Sequence, residues 1–142
     1  MSLNYGYRPW HAEGRDLLDS PILKALDAAT GTEAEAILRD LELLCFHGLR
    51  TFGPGEEVEA PPVDVRRLID TEGLWELRIR TPGRSFRLLI WVDDMCRELL
   101  LLLLYVKKSR RLPPHTRRLA EKRRTSWLSH HNHGLRVLKR LE

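Results

Sequence analysis

Residues 73–111 read GLWELRIRTPGRSFRLLIWVDDMCRELLLLLLYVKKSRR, and this stretch decides the fold. Trp75, Leu77 and Ile79 alternate with Glu76, Arg78 and Arg80. Successive side chains of a strand point to opposite faces, so the run predicts a strand with one apolar face and one charged face. Thr81-Pro82-Gly83-Arg84 then breaks it with turn residues. Residues 86–92, rich in β-branched and aromatic side chains and carrying Arg87 near their start, predict a second strand. Asp93-Asp94 makes the next turn. Residues 99–106 are almost continuously apolar, which suits a central strand covered on both faces, and they end in Lys107-Lys108. Short turns between consecutive strands imply an antiparallel meander.

Helical signals precede this segment. Ser20-Pro21 pairs a capping hydroxyl with proline at the first helical position, and Ile22, Leu23 and Leu26 follow at helical spacing until Thr30-Gly31. Thr32 and Glu35 stand at capping-box spacing for a second helix. Its apolar stripe is Ile37, Leu38, Leu41, Leu44 and Cys45, and Gly48 is its stop. The pair reads as a helical hairpin lying on one sheet face. Further out, residues 3–7 alternate as a short first strand does, and residues 10–16 look irregular. Residues 51–62 form a long Gly/Pro/Glu-rich loop, too acidic to favour phosphate. Val63, Val65 and Leu68 fit either a strand edge or extended coil. Beyond the meander, Pro113 bars helix and Pro114 opens one, so residues 115–127 read as a basic surface helix. Residues 129–134 are a polar break. Leu135, Leu138 and Leu141 form a last amphipathic turn, suited to packing on the chain itself or on a second copy.

A chain of 142 residues with 42% apolar content supports one folded domain with a real core. The expected division is a domain over 1–128 and an extension over 129–142. Cys45 and Cys96 lack metal-site spacing and read as free thiols of a reduced, cytoplasmic protein, a bridge being the alternative. Residues 1–10 lack the apolar core of a signal peptide, and the leucine run is far below the roughly 20 residues of a membrane span. No membrane partner is expected. Charge is uneven: residues 1–104 carry a net −6 and residues 105–142 a net +10. Such asymmetry points to a polyanion, most simply nucleic acid, with a solvated basic helix or tail as the plain alternative.

The sequence has no glycine-rich phosphate loop and no paired CxxC motifs. His130-His131-Asn132-His133 lacks acidic neighbours, and Asp93-Asp94 reads more simply as a turn than as a magnesium site, so neither a metal nor another cofactor is expected. A cationic set remains: Arg78, Arg87, Lys107 and Lys108, with Tyr105, Arg110, Arg111 and His115. Cleavage of a phosphodiester by its adjacent 2′-hydroxyl needs a base, cations to neutralise the phosphorane, and an acid for the leaving 5′-oxygen. Arginine and lysine can supply that field without a metal. Their ordinary use, on exposed strand faces for solubility and edge protection, is the competing reading.

The motifs Trp75-Glu76-Leu77-Arg78, Phe86-Arg87 and Tyr105-Val106-Lys107-Lys108 with Pro113-Pro114 resemble RelE-superfamily toxins of type II toxin–antitoxin systems. The resemblance is nearest to the phage-associated, HigB-like branch and spans residues 21–124. It implies an α+β microbial RNase fold: a small, mainly antiparallel twisted sheet, two N-terminal helices packed on it and a basic C-terminal helix. It further implies a metal-independent mRNA endoribonuclease acting on the ribosome, neutralised by a helix-turn-helix antitoxin. A non-catalytic RelE-like phage protein that binds nucleic acid or a host protein is the alternative. The residues carried over are Arg78 and Arg87 on the scissile phosphate, Lys107 and Lys108 on RNA or phosphate, and Tyr105 as a stacking or positioning group. Arg110 and Arg111 extend the RNA-binding set. Two departures stand out. His115 occupies the region where some relatives place a catalytic tyrosine, and is the nearby acid–base candidate. Glu76 stands where some relatives carry lysine, which leaves the general base open.

Overall fold

The computed structural model describes residues 8–11, 21–47, 63–69, 71, 73–93, 97–108 and 111–130. The chain runs β1 (Arg8–His11), α1 (Pro21–Asp27), α2 (Gly31–His47), β2 (Asp64–Arg67), β3 (Leu74–Arg80), β4 (Ser85–Asp93), β5 (Glu98–Val106) and α3 (Pro114–His130). The strands form one five-stranded sheet in the order β1-β5-β4-β3-β2. β2 to β5 are an antiparallel meander, and β1 joins β5 in parallel. The fold is therefore α+β with a mainly antiparallel sheet, as a RelE-like fold requires.

Several boundaries differ from the expected ones. The strand ahead of α1 is Arg8–His11, so chain expected to be irregular from Trp10 onward begins in the sheet. Residues 3–7, where a strand was expected, lie outside the described residues. So do residues 51–62, Gly48, Asp94, Cys96 and the leucines beyond α3. Of Val63, Val65 and Leu68, for which strand edge or coil was left open, Val65 lies in an edge strand, β2, whose Asp64 pairs with Arg78, and Val63 and Leu68 flank it. The capping box of α2 is Thr30 with Glu33, not Thr32 with Glu35. The Thr30 N–H donates to Glu33 Oε1 at 2.9 Å, and the Glu33 N–H donates to Thr30 Oγ1 at 3.2 Å. The same sequence contains both spacings, and the helix begins two residues earlier because the Thr30 carbonyl also accepts the first helical bond, from the Ala34 N–H at 2.9 Å.

Glu33 has a second duty. Arg84, in the β3–β4 turn, donates to it through Nε at 2.7 Å and Nη2 at 2.6 Å. This fork fastens the start of α2 to the tip of the hairpin. The paired guanidinium, with the cap, holds the Glu33 carboxyl down at about 2.

The sheet is covered on both sides. On one, Ile22 of α1 and Ile37 and Leu44 of α2 meet Leu77, Ile79, Phe86, Leu88, Ile90, Leu99, Leu101 and Leu104. On the other, Ala120 and Trp127 of α3 meet Leu74, Leu89, Leu100 and Leu102. The helix expected to lie on the surface is thus a structural layer. Thr116 and Arg124 on it are buried as well.

A bulge interrupts the β4–β5 ladder. Leu103 pairs with Leu89 and Leu101 pairs with Ile90, which leaves Leu102 as the extra residue. Leu99 and Leu101 face the α1/α2 core and Leu100 and Leu102 face α3; past the bulge the phase reverses, and Leu103 and Tyr105 face α3. Strict alternation from Leu99 would have sent Tyr105 to the opposite side.

Candidate active site

Register places the charged side chains. Arg78 pairs with Arg87 across β3 and β4, and Arg87 pairs with Tyr105 across β4 and β5. The three residues form a row across the sheet on its α3 side, beyond the end that Ala120 and Trp127 cover. Glu76, two residues before Arg78, shares that face. Glu76, Arg78, Arg87, Tyr105, Lys107, Arg111 and Leu112 line a cavity of about 290 Å³.

Glu76 is the centre of this cavity and only 5% exposed. Its Oε1 accepts from Arg78 Nε at 2.9 Å and pairs with Arg87 Nε at 3.4 Å. Its Oε2 lies 3.5 Å from the donating Tyr105 hydroxyl. Arg87 is nearly as buried, at 6% exposure. A charge so enclosed needs a counter-charge: removing one member of a buried pair typically costs about 3–5 kcal/mol. Burial, then the Glu76 carboxylate, pushes the Tyr105 phenol up to about 12, against the opposing pull of Arg87 and Arg78. Tyr105 accordingly stays protonated at neutral pH and acts as a donor.

The structure brings together Arg78, Arg87, Tyr105, Lys107 and Arg111 of the expected residues. Lys107 is fixed by its N–H, which donates to the Ser85 carbonyl at 2.8 Å, while its side chain is exposed. Lys108 is exposed and does not line the cavity, nor does His115, exposed on the first turn of α3. Arg110 lies outside the described residues. Glu76 was not among the expected site residues: the sequence placed it on the charged strand face and in the Trp75–Arg78 motif, and marked it as a departure from relatives, although its spacing from Arg78 already placed both on one face. Leu112 carried no signal, because its part comes from the path of the segment between β5 and α3.

Elsewhere, burial pushes the half-buried Cys45 thiol up to about 11, away from nucleophilic use. No group of histidine, cysteine, aspartate or glutamate among the described residues is arranged to hold a metal ion. His130 ends α3, and residues 131–133 lie outside the described residues. Among the described residues no helix is long and apolar enough to cross a membrane.

The family model described as Phage derived protein Gp49-like (DUF891) matches residues 23–125. The chain belongs to the Gp49-like family. This is a RelE/toxin-like, phage-derived family. The match contains every described residue that lines the cavity, and it ends within α3. No curated protein and no solved structure gave a significant match to this Gp49-like chain.

Proposed function

We propose that this Gp49-like protein is the toxin of a type II toxin–antitoxin system of HigB-like kind, a metal-independent endoribonuclease acting on mRNA at the ribosome in the cytoplasm. The observation that carries the reading is the row Arg78, Arg87, Tyr105 around the single carboxylate of Glu76, open to Lys107 and Arg111.

In this scheme Arg78, Arg87 and Lys107 take the scissile phosphate and neutralise the charge that builds on the phosphorane. Among the described residues Glu76 is the only carboxylate lining the cavity, and in this scheme it accepts the proton of the 2′-hydroxyl. The 2′-oxygen bonds to phosphorus, the bond to the 5′-oxygen breaks, and Tyr105 gives that oxygen its proton. The Glu76 proton then returns to Tyr105 along their hydrogen bond. The products are a 2′,3′-cyclic phosphate and a 5′-hydroxyl. His115, outside the cavity, has no part in this scheme. Lys108 and Arg111 extend the basic surface toward flanking phosphates.

The alternative, a non-catalytic RelE-like phage protein that binds nucleic acid or a host protein, draws on the same ion pairs, since Glu76 already partners both arginines. Expression of the wild type and of Arg78→Ala and Arg87→Ala separates the readings. Growth arrest with cut transcripts, lost in both variants, supports the nuclease. Transcripts that stay intact during arrest, or toxicity that survives both substitutions, refute it. Co-expression with a helix-turn-helix protein encoded beside the toxin should restore growth.

A further inference from the structure

We infer that Arg123, on α3 and outside the cavity, is a positioning residue for the site: it anchors the β5 bulge that turns Tyr105 toward Glu76. The inference rests on the cleavage scheme for its functional meaning, and on geometry alone for its structural content.

The extra residue of a bulge leaves the ladder locally unpaired, and a buried carbonyl without a partner is costly. Arg123 supplies that partner, donating through Nη1 to the Leu102 carbonyl at 2.6 Å. A guanidinium on a neutral carbonyl makes a charge-assisted bond, stronger than the backbone bond it replaces. The bulge in turn decides which side of the sheet Tyr105 occupies. Leu102 and Leu103 both face α3, so the phase of β5 changes between Leu101 and Leu104. Without the inserted residue, Tyr105 would share a face with Leu99 and Leu101, away from Arg87 and Glu76. Leu102 also packs beside Ala120 and Trp127. α3 therefore holds the bulge twice, by its apolar face and by Arg123. The sequence gives no hint of this, because a run of leucines conceals the change of phase.

The test reads the coupling between Tyr105 and Glu76 and needs no activity. The Tyr105 titration is identified in the full chain by its loss in Tyr105→Phe. Glu76→Gln removes a carboxylate that raises the phenol and should lower its midpoint from about 12. With Arg123→Met as the background, the same Glu76→Gln change should move the midpoint by less than half as much. A full-sized shift in a folded Arg123→Met protein overturns the inference. If Arg123→Met does not fold, Arg123→Lys carries the same test. Its shorter side chain lacks the guanidinium fork, so its bond to the Leu102 carbonyl should weaken and the coupling fall, and an undiminished shift again overturns it. If coupling falls as expected while no protein of the series cleaves RNA, the positioning role stands and the nuclease reading fails.

Discussion

Arg78 and Arg87 are cross-strand partners that share one oxygen of the same carboxylate, Glu76 Oε1, at 2.9 Å and 3.4 Å. Two like charges placed opposite each other on a ladder repel. Here the intervening anion makes the pair tolerable in the free protein. A phosphate entering the cavity meets guanidinium groups already held on one face.

The two arginines should differ in what their loss does. Arg78 is the more accessible, so Arg78→Ala should leave the thermal midpoint within a few degrees of wild type while lowering RNA cleavage about 100-fold or more. Arg87→Ala takes a buried partner from Glu76 and should cost about 3 kcal/mol of stability as well. Urea denaturation beside single-turnover cleavage checks both; equal stability loss in the two variants would contradict the burial difference.

Glu76→Gln should separate binding from chemistry. It removes the anion that competes for Arg78 and Arg87, so inorganic phosphate should bind more tightly, by several-fold. Cleavage should fall by about 10²–10⁴, the usual contribution of a general base. Calorimetric titration with phosphate and a cleavage assay on the same preparation provide the two readings. Tighter phosphate with unimpaired cleavage would remove Glu76 from the proton path.

Acid should loosen the clasp between α2 and the hairpin. The Glu33 carboxyl is held at about 2, against an ordinary value of 4.5. The folded state thus binds the proton less readily than the unfolded one. Its contribution is complete above about pH 4.5 and drains away as pH falls toward 2. Thermal midpoints between pH 2 and 5 should fall less steeply for Glu33→Gln than for wild type, and parallel curves would mean that other carboxylates dominate acid unfolding.

Cys45 should be slow to alkylate while the protein is folded. A thiol raised from 9.0 to about 11 carries about a hundredfold less thiolate at pH 8. In a Cys96→Ser background, the rate with iodoacetamide should rise at least tenfold on adding denaturing urea. Equal rates with and without urea would place the thiol in contact with solvent in the native state.

Much of this architecture was legible in the sequence because strand periodicity and turn residues agreed over residues 73–93. Alternation from Trp75 to Arg80 set the face of Arg78, while its partners Asp64 and Arg87 came only with the structure. The double covering of β5 followed from its unbroken leucines. Three things were not legible, each for a physical reason. Two overlapping capping-box spacings, Thr30/Glu33 and Thr32/Glu35, differ only in tertiary support, which Arg84 supplies from 51 positions away. The bulge at Leu102 is invisible in a run of identical side chains, so the side taken by Tyr105 had no local signal. The C-terminal cations looked like a nucleic-acid surface as a group, yet Arg123 serves the Leu102 carbonyl and Arg117 is paired with Glu121 at 3.2 Å. Charge counted along a chain does not say how much of it reaches solvent.

The covering of the sheet by α3 limits how the protein can be shortened. A chain cut after Lys108 would keep every strand and the motifs of the meander, and would still lay Leu74, Leu89, Leu100 and Leu102 bare as one greasy plane. Such a fragment should self-associate rather than stay dispersed. The basic helix therefore acts as the protein's solubility cover, and trimming studies meant to map RNA contacts along it would read out aggregation instead.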